Sequence, residues 1–363
     1  MKTVMQPISP PATRNGATRP IASATWDAGP GVELAPRWKR ILVPVDFSLP
    51  SMKALSYASW LAESLGASLD LIHVLAAPPL AVGIRTRPLL VGVGTQQMVD
   101  AAHAKLLAVA KRRVRAGVAT TRSVRIGEPE REVLGAAARL HSDALLLHTE
   151  VESGLDGFLR NGTTHRILFG APCPVLLLPN QILWPADDAP SLVRPGLWRR
   201  ILIPVEMTAV GAETLFRGVA LAQWYNARVT VCNVLRTGRL QARYRSAHAR
   251  NRRLLKASEA FGTWLRRCKP PGVGVETYLG EGRPAPSFLQ AARDLKAQVI
   301  VLGTQQFSGW RRYRAAGAVS RILATTPCPI LSVPQPPGGG LQSATARGPR
   351  EANDQRNEPG MPS

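Results

Sequence analysis

Short apolar runs bounded by charges alternate along this chain with longer stretches whose apolar residues recur at helical spacing. The first run lies in Arg37–Asp46, RWKRILVPVD, and it returns 160 residues later as LWRRILIPVE, Leu197–Glu206. Both copies place a tryptophan (Trp38, Trp198) and basic residues before the run. Both close on Pro-Val and a carboxylate, Asp46 or Glu206. A run this short, bounded by charge, predicts a strand buried on both faces. A carboxylate at its end falls at the carboxyl edge of a parallel sheet, where open α/β sheets bind ligands.

The same logic predicts the elements of the first half. A strand at Arg40–Asp46 leads through FSLPS to a helix from Ser51 to Leu65, with Ser48 as cap, Pro50 in its first turn and Gly66 as C-cap. A strand at Ala67–Leu75 and a Pro/Gly-rich connection precede a helix from about Gln96 to Ala116, capped by Gly117. Then come a strand at Val118–Arg125, a helix opened by Gly127-Glu128-Pro129, and a strand at Ala144–Leu147. A loop runs from His148 to Asn161, a short helix starts at Gly162, and Ala171-Pro172-Cys173-Pro174 leads into a last strand at Val175–Leu178.

The second half repeats this order. Strands are predicted at Arg200–Glu206, Arg228–Leu235, Val273–Leu279, Gln298–Gly303 and Ile330–Val333, with helices between them. PCPVLLLP matches PCPILSVP at an offset of 155. Strict alternation of strand and helix implies right-handed crossovers and a parallel sheet. The expected organisation is a disordered tail over 1–36, a domain over 38–180, a linker over 181–196 with three prolines, a domain over 197–335, and a second disordered tail over 336–363.

Composition narrows the class. At 363 residues the chain can hold two domains with proper cores. It has no run of about 18 apolar residues, so no membrane insertion is expected. Its N-terminus lacks the apolar core of a signal peptide, which makes the cytoplasm the expected compartment. Four cysteines without a C-x-x-C do not make a disulfide framework, and Cys173 and Cys328, each between prolines, read as small buried side chains. The net charge of +22 comes mainly from arginine, since only eight of the 46 basic residues are lysine. The stretch 236–253, RTGRLQARYRSAHARNRR, holds seven arginines and no acid. Arg283 and the group Arg311, Arg312 and Arg314 belong near the same carboxyl edge, which opens the possibility of a polyanion partner beside the bland reading of a solvated loop. No Ser-His-Asp spacing, HExxH or metal cluster is present, so nothing requires an enzyme. His73, within an apolar strand, reads as a hydrogen-bonded core histidine, and His148 has no metal-ligating partner at motif spacing.

Taken together, these residues resemble the universal stress protein family in its tandem two-domain form. The carriers are ILVPVDFS and its helix, the LIHVL strand, the Gly-Glu-Pro turn, VLGT, Gly162-Thr163, and the PCPV/PCPI entries to the last strands. The resemblance implies two flavodoxin-like, doubly wound α/β domains, each with a five-stranded parallel sheet of order 3-2-1-4-5. It also implies pairing through the last strands, either between the two repeats of one chain or in a homodimer. Members that bind ATP carry Gly-x2-Gly-x9-Gly-Ser/Thr after the fourth strand and an aspartate ending the first. Glycine lets backbone N–H groups approach phosphates, and the following helix N-terminus favours the anion. The nucleotide-site residues the resemblance points to are Asp46, Gly162 and Thr163 in the first repeat and Gly303 and Gly317 in the second.

Both copies depart from that pattern. His148 and Val151 replace the first two glycines of the first repeat, and Gly162 comes one residue late. In the second repeat Glu206 replaces the aspartate, Gln306 the second glycine and Ala318 the Ser/Thr, while Gly317 is again one residue late. The expectation is therefore a non-enzymatic stress-response or regulatory binding protein with degenerate nucleotide motifs and no certain cofactor. ATP binding with slow or no hydrolysis and polyanion binding through 236–253 are the alternatives.

Overall fold

The computed structural model describes residues 38–76, 89–149, 163–179, 198–236, 247–270, 273–303 and 325–334. The predicted tails and linker, the helix predicted from Gly317, and Gly162, Gly317, Val151 and Gln306 lie outside the described residues. In the first repeat the elements run β1 (Arg40–Pro44), α1 (Leu49–Leu65), β2 (Ser68–Ala76), α2 (Leu89–Arg113), β3 (Thr120–Gly127), α3 (Pro129–Arg139), β4 (Ala144–Thr149), α4 (Thr163–Gly170) and β5 (Val175–Pro179). The second repeat supplies β6 (Arg200–Pro204), α5 (Ala209–Tyr225), β7 (Arg228–Arg236), α6 (Ala247–Cys268), β8 (Glu276–Gly282), α7 (Pro284–Asp294), β9 (Val299–Gly303) and β10 (Ile330–Val333).

Each repeat builds five parallel strands in the order 3-2-1-4-5, and the two sets join into one sheet, β3-β2-β1-β4-β5-β10-β9-β6-β7-β8. The junction is antiparallel: β10 pairs with β5 through Ile330↔Leu177, Leu331↔Leu176 and Ser332↔Val175. The central strands are apolar on both faces, as a sheet covered on both sides requires. One face carries α1, α2, α5 and α6 over a core that includes Leu55, Leu61, Leu176, Leu215 and Leu331. The other carries α3, α4 and α7 over a core that includes Val133, Ile167, Leu177, Phe288 and Ile330. Both cores run across the junction between the repeats.

Trp38 and Trp198, the matched tryptophans before β1 and β6, are 2% and 0% exposed. Their rings meet edge to face with centroids 6.2 Å apart, and Trp198 also packs on Tyr225 at 5.0 Å. The duplicated opening motif thus contributes a contact between the two repeats. The same burial acts on Tyr57 of α1, whose hydroxyl is pushed above its ordinary range while the neighbouring Trp198 indole opposes the shift.

The ends of α1 follow the predicted chemistry, whereas α2 runs Leu89–Arg113 where a helix from about Gln96 to Ala116 was expected. Ser48 caps α1 by accepting from Ser51 N at 3.2 Å, and Gly66 ends it at φ 64°. Thr208 caps α5 by accepting from Gly211 N at 3.2 Å, and Asn226 ends it in the same left-handed region at φ 48°. Two strand starts differ from expectation by more than one residue. The strand expected at Val273–Leu279 is Glu276–Gly282, because Val273 and Val275 pack on the core ahead of the ladder, which begins at Thr230↔Glu276. The strand expected from Val118 begins at Thr120, and its ladder to β2 continues to Ala76↔Gly127.

Candidate functional site

At the carboxyl end of β1 the chain leaves the sheet at Val45 and Asp46. His73, one strand away on β2, fixes this exit: its Nδ1 donates to the Val45 carbonyl at 2.6 Å. Asn233 does the same in the second repeat, with Nδ2 donating to the Val205 carbonyl at 2.8 Å. His73 makes the hydrogen bond expected of it but is half-buried and not a core residue, and the bond holds the loop that carries the acid.

The acid itself is engaged within the chain. Asp46 Oδ1 accepts from Ser48 N at 2.8 Å, and Asp46 N donates to Ser51 Oγ at 3.2 Å. Oδ2 faces His148 Nε2 at 3.3 Å. Burial works against ionisation of Asp46, but the His148 imidazole and Ser48 outweigh it and hold the carboxyl well below the usual carboxylate range. His148 lies on β4, next to β1 in the sheet. It stands where the ATP-binding pattern places its first glycine, and its side chain reaches the pattern's aspartate. At motif spacing His148 has no metal-ligating partner; strand order gives it a hydrogen-bonding carboxylate. With β4 beside β1, both residues stand at adjacent carboxyl ends, a neighbourhood the order 3-2-1-4-5 already contained.

Phe47 follows Asp46 at φ 66°, a left-handed conformation that is costly for a bulky side chain. Its ring lies 4.4 Å from His73 between centroids, and Lys105 Nζ of α2 sits 4.3 Å over it. This edge of the first repeat is thereby built from Asp46, Phe47, His73, Lys105 and His148. Thr163 begins α4 and is half-buried, one residue later than the pattern's Ser/Thr.

The second repeat is built differently. Glu206 is exposed, and Gly303, in His148's place, ends β9 in register with Val333 and offers no side chain. The loop also takes another path: Thr208 N donates to the Glu206 carbonyl at 2.7 Å. Gly211 stands where Ser51 does in the first repeat, and a Cβ there would come within 1.9 Å of the Glu206 carbonyl oxygen. Glycine at 211 is therefore a requirement of close backbone approach.

The opposite, amino edge holds structural polar chemistry. Asp143 Oδ2 accepts from Lys39 N and Arg40 N at 2.7 and 2.8 Å, and Gln298 Oε1 accepts from Arg199 N and Arg200 N at 2.6 and 3.1 Å. Arg40 pairs with buried Asp70 at 3.2 Å, whereas Arg200 turns to the Lys296 carbonyl at 2.7 Å. Thr230 stands in Asp70's place, and a cavity of about 70 Å³ opens beside Arg200, Arg228, Thr230 and Glu276. It lies at the end of the sheet away from Asp46. Cys173 and Cys328 are buried and free, and burial pushes each thiol up to about 12, which matches the expectation of packing side chains. Among the described residues no group of three or more His, Cys, Asp or Glu could hold a metal, and no helix is long and apolar enough to cross a membrane.

The sequence profile of the universal stress protein family matches residues 37–179 and again 197–334. The chain belongs to the universal stress protein family. A universal stress protein of Methanocaldococcus jannaschii is 26% identical over 151 residues, covering 40% of this chain and 89% of its own length. A universal stress protein of Archaeoglobus fulgidus superposes with a TM-score of 0.58 at 16% identity, covering 83% of this chain and 98% of its own, a likeness of fold. One universal stress protein has been solved in complex with cAMP; it covers 39% of this chain at 15% identity with a TM-score of 0.29. Within the family pattern, this chain carries the universal stress fold twice and gives each copy its own carboxyl edge.

Proposed function

We propose that this universal stress protein is a cytoplasmic, non-enzymatic stress-response protein that acts by binding, and that ATP binding at its nucleotide motifs is weak or lost. The observation that carries the reading is the contact of Asp46 Oδ2 with His148 Nε2 at 3.3 Å. A ligand that needs the Asp46 carboxylate must displace an imidazole already held there, and a ligand that needs backbone amides at 148 meets a side chain. In the second repeat Gly303 keeps the open backbone, but Glu206 departs from the family's acid and its loop is closed by the Thr208–Glu206 turn. The antiparallel pairing of β5 with β10 supports a further part of the proposal: one chain provides both halves of the pair that last strands make, so the working unit is a single tandem chain.

Isothermal titration of the full chain with ATP tests the reading. The expected result is no saturable heat. Binding with a micromolar Kd, lost in Asp46→Asn or in a Thr163→Val variant, would replace it with the ATP-binding alternative built on Asp46, Gly162 and Thr163.

A further inference from the structure

The two carboxyl edges differ in charge as well as in loop path. In the second repeat β7 ends at Arg236, and α6 leaves the same edge with Arg250, Arg252, Arg253 and Lys256 in its early turns. Two contacts dock this end of α6. Arg253 Nη2 donates to the Arg236 carbonyl at 2.8 Å, and Arg250 Nη2 meets Glu281 of β8 at 2.6 Å. β8 ends at Gly282, and Arg283 follows it at the N-terminal boundary of α7 without capping the helix through its side chain. Three elements thus bring Arg236, Arg250, Arg252, Arg253 and Arg283 to one lip, with Glu281 the acid bound among them. Arg236, Arg250, Arg252 and Arg283 are exposed.

The first repeat places different residues at the same points. Ala76 ends β2 where Arg236 ends β7, and Glu128 precedes α3 where Arg283 precedes α7. Glu128 and Glu130 face Arg166 at 3.5 and 2.8 Å, and α2 carries Gln96, Gln97 and Asp100 near this edge. A general excess of arginine would fall on both copies alike. Here the first repeat's exposed Arg125 and Arg131 stand among Glu128, Glu130 and Glu132, whereas the second repeat's lip holds one acid among five arginines.

We propose that this lip binds a linear chain of phosphate groups. Arginine's planar fork matches phosphate oxygens in pairs, and guanidinium groups spread along an edge fit successive phosphates better than one compact anion. A membrane surface is a poorer fit, because Leu255 is the large exposed apolar residue of α6 among those described, and one such side chain supplies little insertion. The sources that share the chemistry are the backbone of a single-stranded nucleic acid and inorganic polyphosphate.

Fluorescence anisotropy of the full chain with a labelled oligothymidylate, across a KCl series, tests the proposal. Unlabelled polyphosphate serves as competitor and phosphatidylserine vesicles form a separate arm. The parent protein is expected to bind with an affinity that falls linearly with salt on a log–log plot. Arg252→Ser and Arg283→Ser should each lower that slope by about one, and the double variant by about two. Arg122→Ser, exposed on the first repeat's β3, should leave the slope unchanged. Thermal melting of each variant reports its folding. Competition by polyphosphate at equal phosphate concentration assigns the bare phosphate chain, and resistance to it assigns nucleic acid; either supports the lip. A folded double variant with the parent's affinity and slope overturns the proposal, as does a parent that binds only the vesicles.

Discussion

Asp46 and His148 form a unit, and the second repeat holds the complementary unit Glu206 and Gly303. Where the fourth strand ends in an imidazole, the acid is short and turned onto it. Where that strand ends in glycine, the acid is longer and meets no side chain from that position, and both acids are exposed. The paired form has a consequence for pH. Asp46 is held below its ordinary range in the folded chain, so the stability it contributes is present above the unfolded carboxylate value of about 3.9 and is lost as pH falls through the folded value. Because the side chain is half exposed, solvent screening keeps the contribution small. Melting temperatures of the parent and Asp46→Asn should differ at neutral pH and converge from about pH 4 downward. A gap that stays constant to low pH would show that the carboxylate's ionisation is not what the fold uses.

Among the elements, the start and stop of α1 were legible because capping chemistry is local, whereas α2, which begins at Leu89 and not near Gln96, carried no such signal. Ser48, Pro50 and Gly66 act as their residue types predict. The start of β8 was not legible, since Val273 and Val275 bury their side chains without joining the ladder, and burial and hydrogen bonding separate there. The site's polar contacts were hidden for another reason. His73 to Val45, Asn233 to Val205 and Asp46 to His148 join residues that meet only when strands far apart in sequence become neighbours. The two left-handed helix ends supply a test of the local rule. Asn226 tolerates φ 48° less well than glycine would, whereas Gly66 at φ 64° is already the favoured residue. In chemical denaturation Asn226→Gly should be neutral to slightly stabilising, and Gly66→Ala should cost about 1–2 kcal/mol. Equal losses from both substitutions would contradict this assignment of the two ends.

At the scale of the molecule, duplication has preserved the framework and released the edges. Ten strands share one sheet, two cores cross the junction, and Trp38 packs on Trp198. The periodicity showed two copies, each with a parallel sheet, and the resemblance implied the family and the strand order. How the copies join depends on β5 and β10, whose apolar sequences would serve an internal pair or an intermolecular one equally well. The central claim is that a single chain pairs its own last strands and holds no nucleotide at its engaged first site. Native mass spectrometry of the purified protein addresses both parts at once. The account predicts one species at the chain mass of 39.1 kDa without an adduct. A dimer of twice that mass, or a stoichiometric adduct of nucleotide mass that survives desalting, would contradict it.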